Sequence, residues 1–539
     1  MSIEVPLPIK IEQQANSNPD KIFVQVVKGA DHTYEQFHAA SRRWSDAFAA
    51  AGVKRGEYVA SMLPIGMTSY CCWIGLSWLG AAEVPINTQF VGQTLLYPLQ
   101  NCQVRVLVID GQFVGRLAAL VDALSFLETV VVVSSAEGKA GLPWRVISVD
   151  EFLASGTPAP YVVPRYHDPH AVIYTSGTTG PSKGVLQPWV NIQDQAHGTF
   201  PGQQLGDYED GAIYTCWPTF HSSGKFGMTI ASEFDLRMVL RPGFSLSNFW
   251  SDIRTYRCTH ATLLVVAGLI LSQPELPDDL ENPLEKVGMY PLFPGYRAFE
   301  KRFGVTVTAG YGGTETGSVA STSDPLSHRV NGKPRQGYIV RIVNDDGEPL
   351  PVGQVGEIVI RHEHPWRLNS GYVGRPELTA QSWRDGWFRT GDAGQFDDQG
   401  NLYFVDRLND YLRHRGHNVS SFEVEAEVLA NDGVEFCACI GVPSDLAVAG
   451  QTVPDDDIKV FVVRKAGSTL TAAGLYAFLE PQVPVFMLPR YVEFVDELPR
   501  TPTGKVRKVD LRERPRDPAK EWEAPRGGRK AASVVRHLG

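Results

Sequence analysis

Residues 175–184 read Thr-Ser-Gly-Thr-Thr-Gly-Pro-Ser-Lys-Gly, and the apolar or aromatic Val172, Ile173 and Tyr174 lead into them. Thr175, Ser176, Thr178 and Thr179 bring hydroxyls, and Lys183 brings a positive charge. Gly177, Gly180 and Gly184 bring backbone that turns without strain. These residue types in this order suit a concavity for a polyphosphate: inward N–H and hydroxyl groups donate to oxygens, and the ammonium balances charge. The run is not the common nucleotide loop, in which four residues separate the first glycine from a terminal Gly-Lys-Ser/Thr. Here Pro-Ser lies between Gly180 and Lys183, and Gly184 stands where the metal-binding hydroxyl belongs. The plainer alternative is a flexible surface connection.

Other stretches carry chemistry of a related kind. Gly310-Tyr-Gly-Gly-Thr-Glu-Thr-Gly317 is a second glycine-rich turn, which sets Tyr311, Gly312, Thr314 and Glu315 beside close-approaching backbone. A carboxylate next to a triphosphate suits Mg²⁺, a hard cation that prefers oxygen. On its own, Glu315 is as readily a solvent-exposed turn residue. Thr390-Gly-Asp392 offers a carboxylate to a ribose diol, or an Asx turn closing a hairpin. Arg407, beside Asp406, is a nucleotide ligand or half of a surface ion pair. Far down the chain, Leu498-Pro-Arg-Thr-Pro-Thr-Gly-Lys505 holds a lysine on a proline-stiffened loop. A point charge there serves where negative charge develops as a carboxylate attacks phosphorus; a solvated loop lysine is the alternative.

The elements that must position these residues follow from periodicity. Thr33 with Gln36 predicts a capped helix that carries Phe37, Ala40, Trp44 and Phe48 and stops near Gly52. Residues 59–63, 104–109 and 129–133 read as strands, and 117–124 as a helix. Strands that alternate with helices predict a layered α/β domain with ligands at the carboxyl ends of strands. The 175–184 loop and the 310–317 turn fall at such ends. His221, after Pro218-Thr-Phe220, follows another strand-like run. Beyond about 335, alternation at 338–343, 356–361 and 402–404 predicts antiparallel sheet or barrel. A small α+β unit follows, with strands at 436–442, 458–463 and 491–495 and a helix over 472–479. A tail rich in Pro, Gly, Lys and Arg is expected to fray.

Composition agrees with a globular protein of a few domains: 539 residues, 43% apolar and 20% charged. The net charge of −10, from 50 basic and 60 acidic residues, argues against generic nucleic-acid binding. The seven cysteines have no paired CxxC spacing, as befits reduced thiols in a cytoplasmic protein. No basic-then-apolar leader opens the chain, and the most apolar stretch, 68–82, is short for a membrane span and reads as a buried helix.

Taken in order, 175–184, 310–315, 390–392, 406–425 and 502–505 resemble the motif set of the adenylate-forming superfamily, which holds acyl-CoA synthetases, luciferases and amino-acid adenylation domains. The likeness covers essentially the whole chain and sits nearest to bacterial carnitine, medium-chain or ring-acid CoA ligases. It implies a large N-terminal part, residues 1–406, made of two α/β subdomains with a barrel-like section over 338–405. A hinge at 407–410, a mobile α+β lid at 411–515 and a flexible tail at 516–539 would follow. It implies an AMP-forming acid–thiol ligase that uses ATP, Mg²⁺ and coenzyme A on a small-molecule carboxylic acid. The rivals are a different acceptor (carrier-protein thiol, amine or oxygen) or a non-catalytic nucleotide-binding scaffold. Dimers are common among such enzymes, so a homodimer is open.

By that resemblance Thr175, Ser176, Gly177, Thr178, Thr179, Gly180 and Lys183 would hold phosphates. Thr314 and Glu315 would serve the AMP phosphate and Mg²⁺, and Tyr311 with Gly312 would lie against adenine. Asp392 and Arg407 would hold ribose, and Lys505 would bridge carboxylate and phosphoryl group. His221 would gate the carboxylate pocket, and Arg413 and Gly416 would serve coenzyme A. The chain departs from the pattern at Asn409, the pivot, where Asp or Lys is usual. It departs again at Trp189, where many relatives have His, and over 287–297, which lacks a Gly-Gly-Ala-Pro run. Trp189, Trp217 and 263–266 point to an apolar acyl group.

Overall fold

Short apolar runs alternate with helices through the first part of the chain, and nearly all of those runs become parallel strands. The computed structural model describes residues 5–134, 141–175, 182–264, 266–290, 292, 295–327, 330–344, 346–407, 411–414, 417–444, 456–499, 506 and 508–525. Seven strands form one sheet in the order Arg145–Ser148, Thr129–Val133, Val106–Asp110, Tyr58–Met62, Ala82–Pro85, Pro169–Thr175, Lys183–Pro188. All its pairs are parallel except the last, an antiparallel hairpin. A second sheet of nine strands is parallel through its centre, from Thr306–Gly313 by way of Lys286–Met289, His260–Leu263, Ala212–Thr215 and Arg237–Leu240 to Ile22–Val26. Its edges, with Gly317–Thr322, Lys333–Pro334 and Asp31–Thr33, are antiparallel.

The sheets share one apolar core. Val108 and Val131 of the first meet Ile213 and Met238 of the second through Trp73, Trp189 and Met228 on helices. Helix Tyr34–Ala50 starts as its sequence predicts, with Thr33 and Gln36 exchanging side-chain and backbone bonds at 3.2 and 3.1 Å. The apolar stretch near 70 is the helix Met67–Ser77, buried from Ser69 to its end. No described helix is long and apolar enough to cross a membrane. The helix expected at 117–124 is a run of tighter three-residue turns, Gly111–Ala123, where Gly111 and Gly115 weaken the preference for α-helix. All seven cysteines are buried free thiols.

The section after 335 is antiparallel, as its alternation requires. Tyr338–Val343, Gly356–His362, Trp387–Phe396 and Trp383–Arg384 pair in sequence across one sheet, and Leu402–Arg407 joins Trp387–Phe396. Among the described residues no further pair closes these five strands into a ring. The last unit has its own core under Val434–Pro443, Asp456–Arg464 and Tyr491–Phe494, with helices Ser421–Leu429 and Ala472–Leu479. It meets the seven-stranded half of the molecule at Phe90, which packs against the cores of both.

One expectation about the tail needs correction. Residues 516–525 do not fray: Glu521–Glu523 adds a strand beside Tyr491–Phe494. Trp522 packs on Tyr476 with ring centroids 5.6 Å apart. Glu521 pairs with the buried Lys459 and with Arg516. An apolar ring and buried ion pairs outweigh the segment's Pro and charge content.

Candidate active site

The hairpin fixes the first part of the site. Val172 and Ile173 are buried and hold the strand in the core, and the antiparallel register sets Thr175 opposite Lys183 and Tyr174 opposite Gly184. Gly184 is required by packing, because a Cβ there would lie 2.9 Å from Val172 and 3.0 Å from the Tyr174 ring. Ser176, Gly177, Thr178, Thr179 and Gly180 lie outside the described residues. Lys183 Nζ stands 5.5 Å from the centre of the Tyr372 ring.

The 310–317 turn is folded so tightly that glycine alone fits at two places. A Cβ on Gly312 would meet the Gly317 carbonyl oxygen at 2.1 Å, and one on Gly310 the Ala320 oxygen at 2.5 Å. The turn ends at Glu315, whose carbonyl accepts from the Asn369 backbone at 2.7 Å and side chain at 3.1 Å. So anchored, the Glu315 carboxylate accepts a hydrogen bond from the Thr175 hydroxyl at 3.3 Å. The two glycine-rich segments therefore share one site. Tyr372 lies beside it: burial, and then the Glu315 charge, raise its phenol above the ordinary range.

Tyr311 extends the site sideways. Its hydroxyl donates to Asp392 at 2.7 Å, and its ring stacks on Phe404 at 6.2 Å and 23°. The Asp392 backbone N–H donates to the Thr390 hydroxyl, which in turn donates to the Ile358 carbonyl. Asp392 faces Arg407 across the strand pair. Arg413 sits on Tyr411–His414, opposite Asn418. Asn409, Gly416 and Lys505 lie outside the described residues.

His221 precedes helix Ser222–Phe234 with extended backbone. The residue is exposed to solvent, and desolvation by the protein atoms around it lowers its pKa. It is joined to the phosphate side through Ser222, whose hydroxyl donates to Gln187 Oε1 at 3.3 Å and lies 3.4 Å from the Thr314 hydroxyl. Gln187 Nε2 donates to the Thr314 carbonyl at 3.3 Å and to Asn191 at 2.9 Å. Gln187 and Ser222 were not singled out in the sequence. The available signal was a glutamine in an otherwise apolar run after Lys183-Gly184. Trp189, expected to shape an acyl pocket, is instead a core residue, 1% exposed and stacked on Trp73 at 5.3 Å.

The arrangement offers hydroxyl donors, the Lys183 ammonium and the Glu315 carboxylate near the ends of strands from both sheets. Among the described residues no three His, Cys, Asp or Glu side chains gather to hold a metal. A single carboxylate is the donor set expected for Mg²⁺, which takes phosphate oxygens and water as its other ligands.

Comparison with known proteins gives the class of the chain. The chain belongs to the AMP-binding enzyme family, within the adenylate-forming superfamily: residues 11–373 match the AMP-binding enzyme model and 423–505 its C-terminal domain. It is 31% identical to a crotonobetaine/carnitine–CoA ligase of Proteus mirabilis over 494 residues, 89% of this chain and 92% of the relative. A double mutant of o-succinylbenzoate CoA synthetase from Bacillus subtilis, solved with a product analogue, superposes with a TM-score of 0.78 at 22% identity, covering 95% of this chain and 99% of that one. The same enzyme with AMP gives 0.64 at 23% identity, covering 95% and 98%. The amide bond synthetase of Marinactinospora thermotolerans gives 0.75 at 23%, covering 94% and 99%.

Proposed function

We propose that the protein is an AMP-forming carboxylic acid:coenzyme A ligase acting on a mainly apolar acid. The observation that carries this reading is the Thr175–Glu315 bond, joined through the same turn to Tyr311 and Asp392. Residues 1–406 act as the adenylation part, with a barrel-like section over 338–405. Residues 407–410 form a hinge, and 411–515 the lid.

In the first half-reaction a carboxylate oxygen attacks the α-phosphorus of ATP, giving acyl-AMP and pyrophosphate. Thr175, the 176–180 loop and Lys183 hold the phosphates. Thr314 holds the AMP phosphate, Asp392 and Arg407 the ribose, and Tyr311 with Gly312 the adenine. Glu315 would hold Mg²⁺, which neutralises charge on the phosphates. His221 borders the carboxylate. Lys505 adds charge as the pentavalent centre forms. In the second half-reaction a thiol attacks the carbonyl and AMP leaves, with Arg413 and Gly416 on the thiol's path.

Two half-reactions at one centre call for a lid that moves. The identity to a carnitine-type CoA ligase supports coenzyme A as acceptor. Seven buried free thiols suit a reducing cytoplasm.

The test is acid-dependent AMP formation with Mg·ATP across linear, branched and ring acids. Free coenzyme A, a carrier protein and a primary amine are offered in parallel. Turnover with coenzyme A is expected. Turnover only with another acceptor would reassign the second step, and none with any acid or acceptor would leave a nucleotide-binding scaffold.

A further inference from the structure

A fully buried ion pair lies behind the His221 turn, outside the machinery described above. Lys225 and Glu83 have no solvent exposure, and Lys225 Nζ donates to Glu83 Oε2 at 2.5 Å. Glu83 Oε1 accepts from the Ser61 hydroxyl at 2.6 Å, and the Trp73 ring centre lies 4.0 Å from Nζ. Burial depresses the Lys225 pKa, while Glu83 pulls it back up. The pair crosses between layers: Glu83 is on Ala82–Pro85 of the seven-stranded sheet, and Lys225 is in the first turn of helix Ser222–Phe234.

That first turn is clamped from several sides. Tyr70 donates to the Gly224 carbonyl at 2.5 Å. The Gly224 N–H reaches the His221 carbonyl at 3.0 Å, and the His221 N–H reaches Pro218 at 3.1 Å. A Cβ on Gly224 would meet the Pro218 oxygen at 2.0 Å. The body of the helix needs no such help, since Met228, Ile230, Ala231 and Phe234 anchor it in the core. An apolar pair of similar volume often matches or exceeds the stability of a buried ion pair, whereas removing one partner strands a charge. What the pair contributes at this place is direction: its length and geometry set the turn's position over the strand.

We propose that Lys225 and Glu83 are positioning residues that pin residues 218–225, and with them His221 and Ser222, to strand Ala82–Pro85. What that turn binds rests on the ligase reading; the pinning itself does not.

The test uses the full chain carrying Lys225→Met, Glu83→Gln or the double change Glu83→Leu/Lys225→Met. Each single change is expected to lower the urea midpoint, and the double change to recover much of the loss. Hydrogen–deuterium exchange of amides 219–226 in the double variant should nevertheless quicken by about tenfold, with Ala212–Thr215 and 229–234 as in the parent. Parental protection of 219–226 in that variant would overturn the proposal, as would a uniform rise across the fold. In Mg·ATP–pyrophosphate exchange with octanoate or benzoate as probe, KM for the acid should rise by about tenfold and KM for ATP by clearly less. An equal rise in both would also overturn it. If the parent supports no exchange with either acid, the ligase reading fails for these probes, and the amide exchange still decides the pinning.

Discussion

The Thr175 hydroxyl donates to the Glu315 carboxylate at 3.3 Å across 140 residues of sequence. Thr175 ends a strand of the seven-stranded sheet, and Glu315 follows a strand of the nine-stranded sheet. The candidate site thus lies where two sheets bring their strand ends together, and neither sheet carries it alone. Its geometry depends on the core that joins them.

Glu315→Gln keeps the carbonyl bonds to Asn369 and removes the charge. Acid-dependent pyrophosphate exchange should fall by about a hundredfold, ~2.7 kcal/mol of transition-state stabilisation, with a weaker dependence on magnesium. The urea midpoint should stay near that of the parent. A large stability loss would recast Glu315 as a structural residue.

Lys505→Ala should cripple adenylation while thioester formation from preformed acyl-AMP remains largely intact. Single-turnover assays of the two halves separate the cases. Equal loss in both would count against a lysine used in one step only.

Tyr311→Phe removes the donor to Asp392 and retains the stacked ring. One such hydrogen bond is worth ~1 kcal/mol, so KM for ATP should rise about fivefold with kcat little changed. Steady-state kinetics at saturating acid reads this directly.

Acid should weaken the fold through two buried imidazoles. Burial, and then the Lys286 charge, push His260 down to about 3, and burial with Lys225 nearby pushes His170 well below the ordinary range. Both are lower folded than unfolded, so the unfolded chain binds more protons in between. Their stability contribution is complete above about 6.5 and is lost as pH falls, by up to ~1.4 kcal/mol per unit for each group. Urea midpoints from pH 7.5 to 5 should slope accordingly; burial lowers His221 and His362 as well, so His260→Gln should remove one group's share of that slope, up to ~1.4 kcal/mol per unit. An unchanged slope would refute the assignment.

Local order was legible wherever a few neighbouring residues decide it. The Thr33–Gln36 cap, the short helix after 67 and helix Ala472–Leu479 follow from periodicity and end chemistry. The two glycine-rich segments stood out as candidates because they interleave hydroxyls, a lysine and a carboxylate with glycine. Gln187, Ser222 and the Lys225–Glu83 pair did not, since Ser222 lies 35 residues from Gln187 and Lys225 142 from Glu83, and only the packing of the layers brings them together. Trp189 read as a pocket residue because position in a motif does not say which side of the strand a ring enters. The strand at 521 was hidden in a basic, proline-containing tail whose single tryptophan was the one sign of burial.

The most direct test is a co-crystal structure with AMP. The account predicts the phosphate within hydrogen-bonding distance of Thr314, beside Glu315 and Thr175, with the ribose hydroxyls on Asp392 and adenine along Tyr311. A nucleotide bound elsewhere, with the Thr175–Glu315 contact undisturbed and buried away from it, would contradict the account.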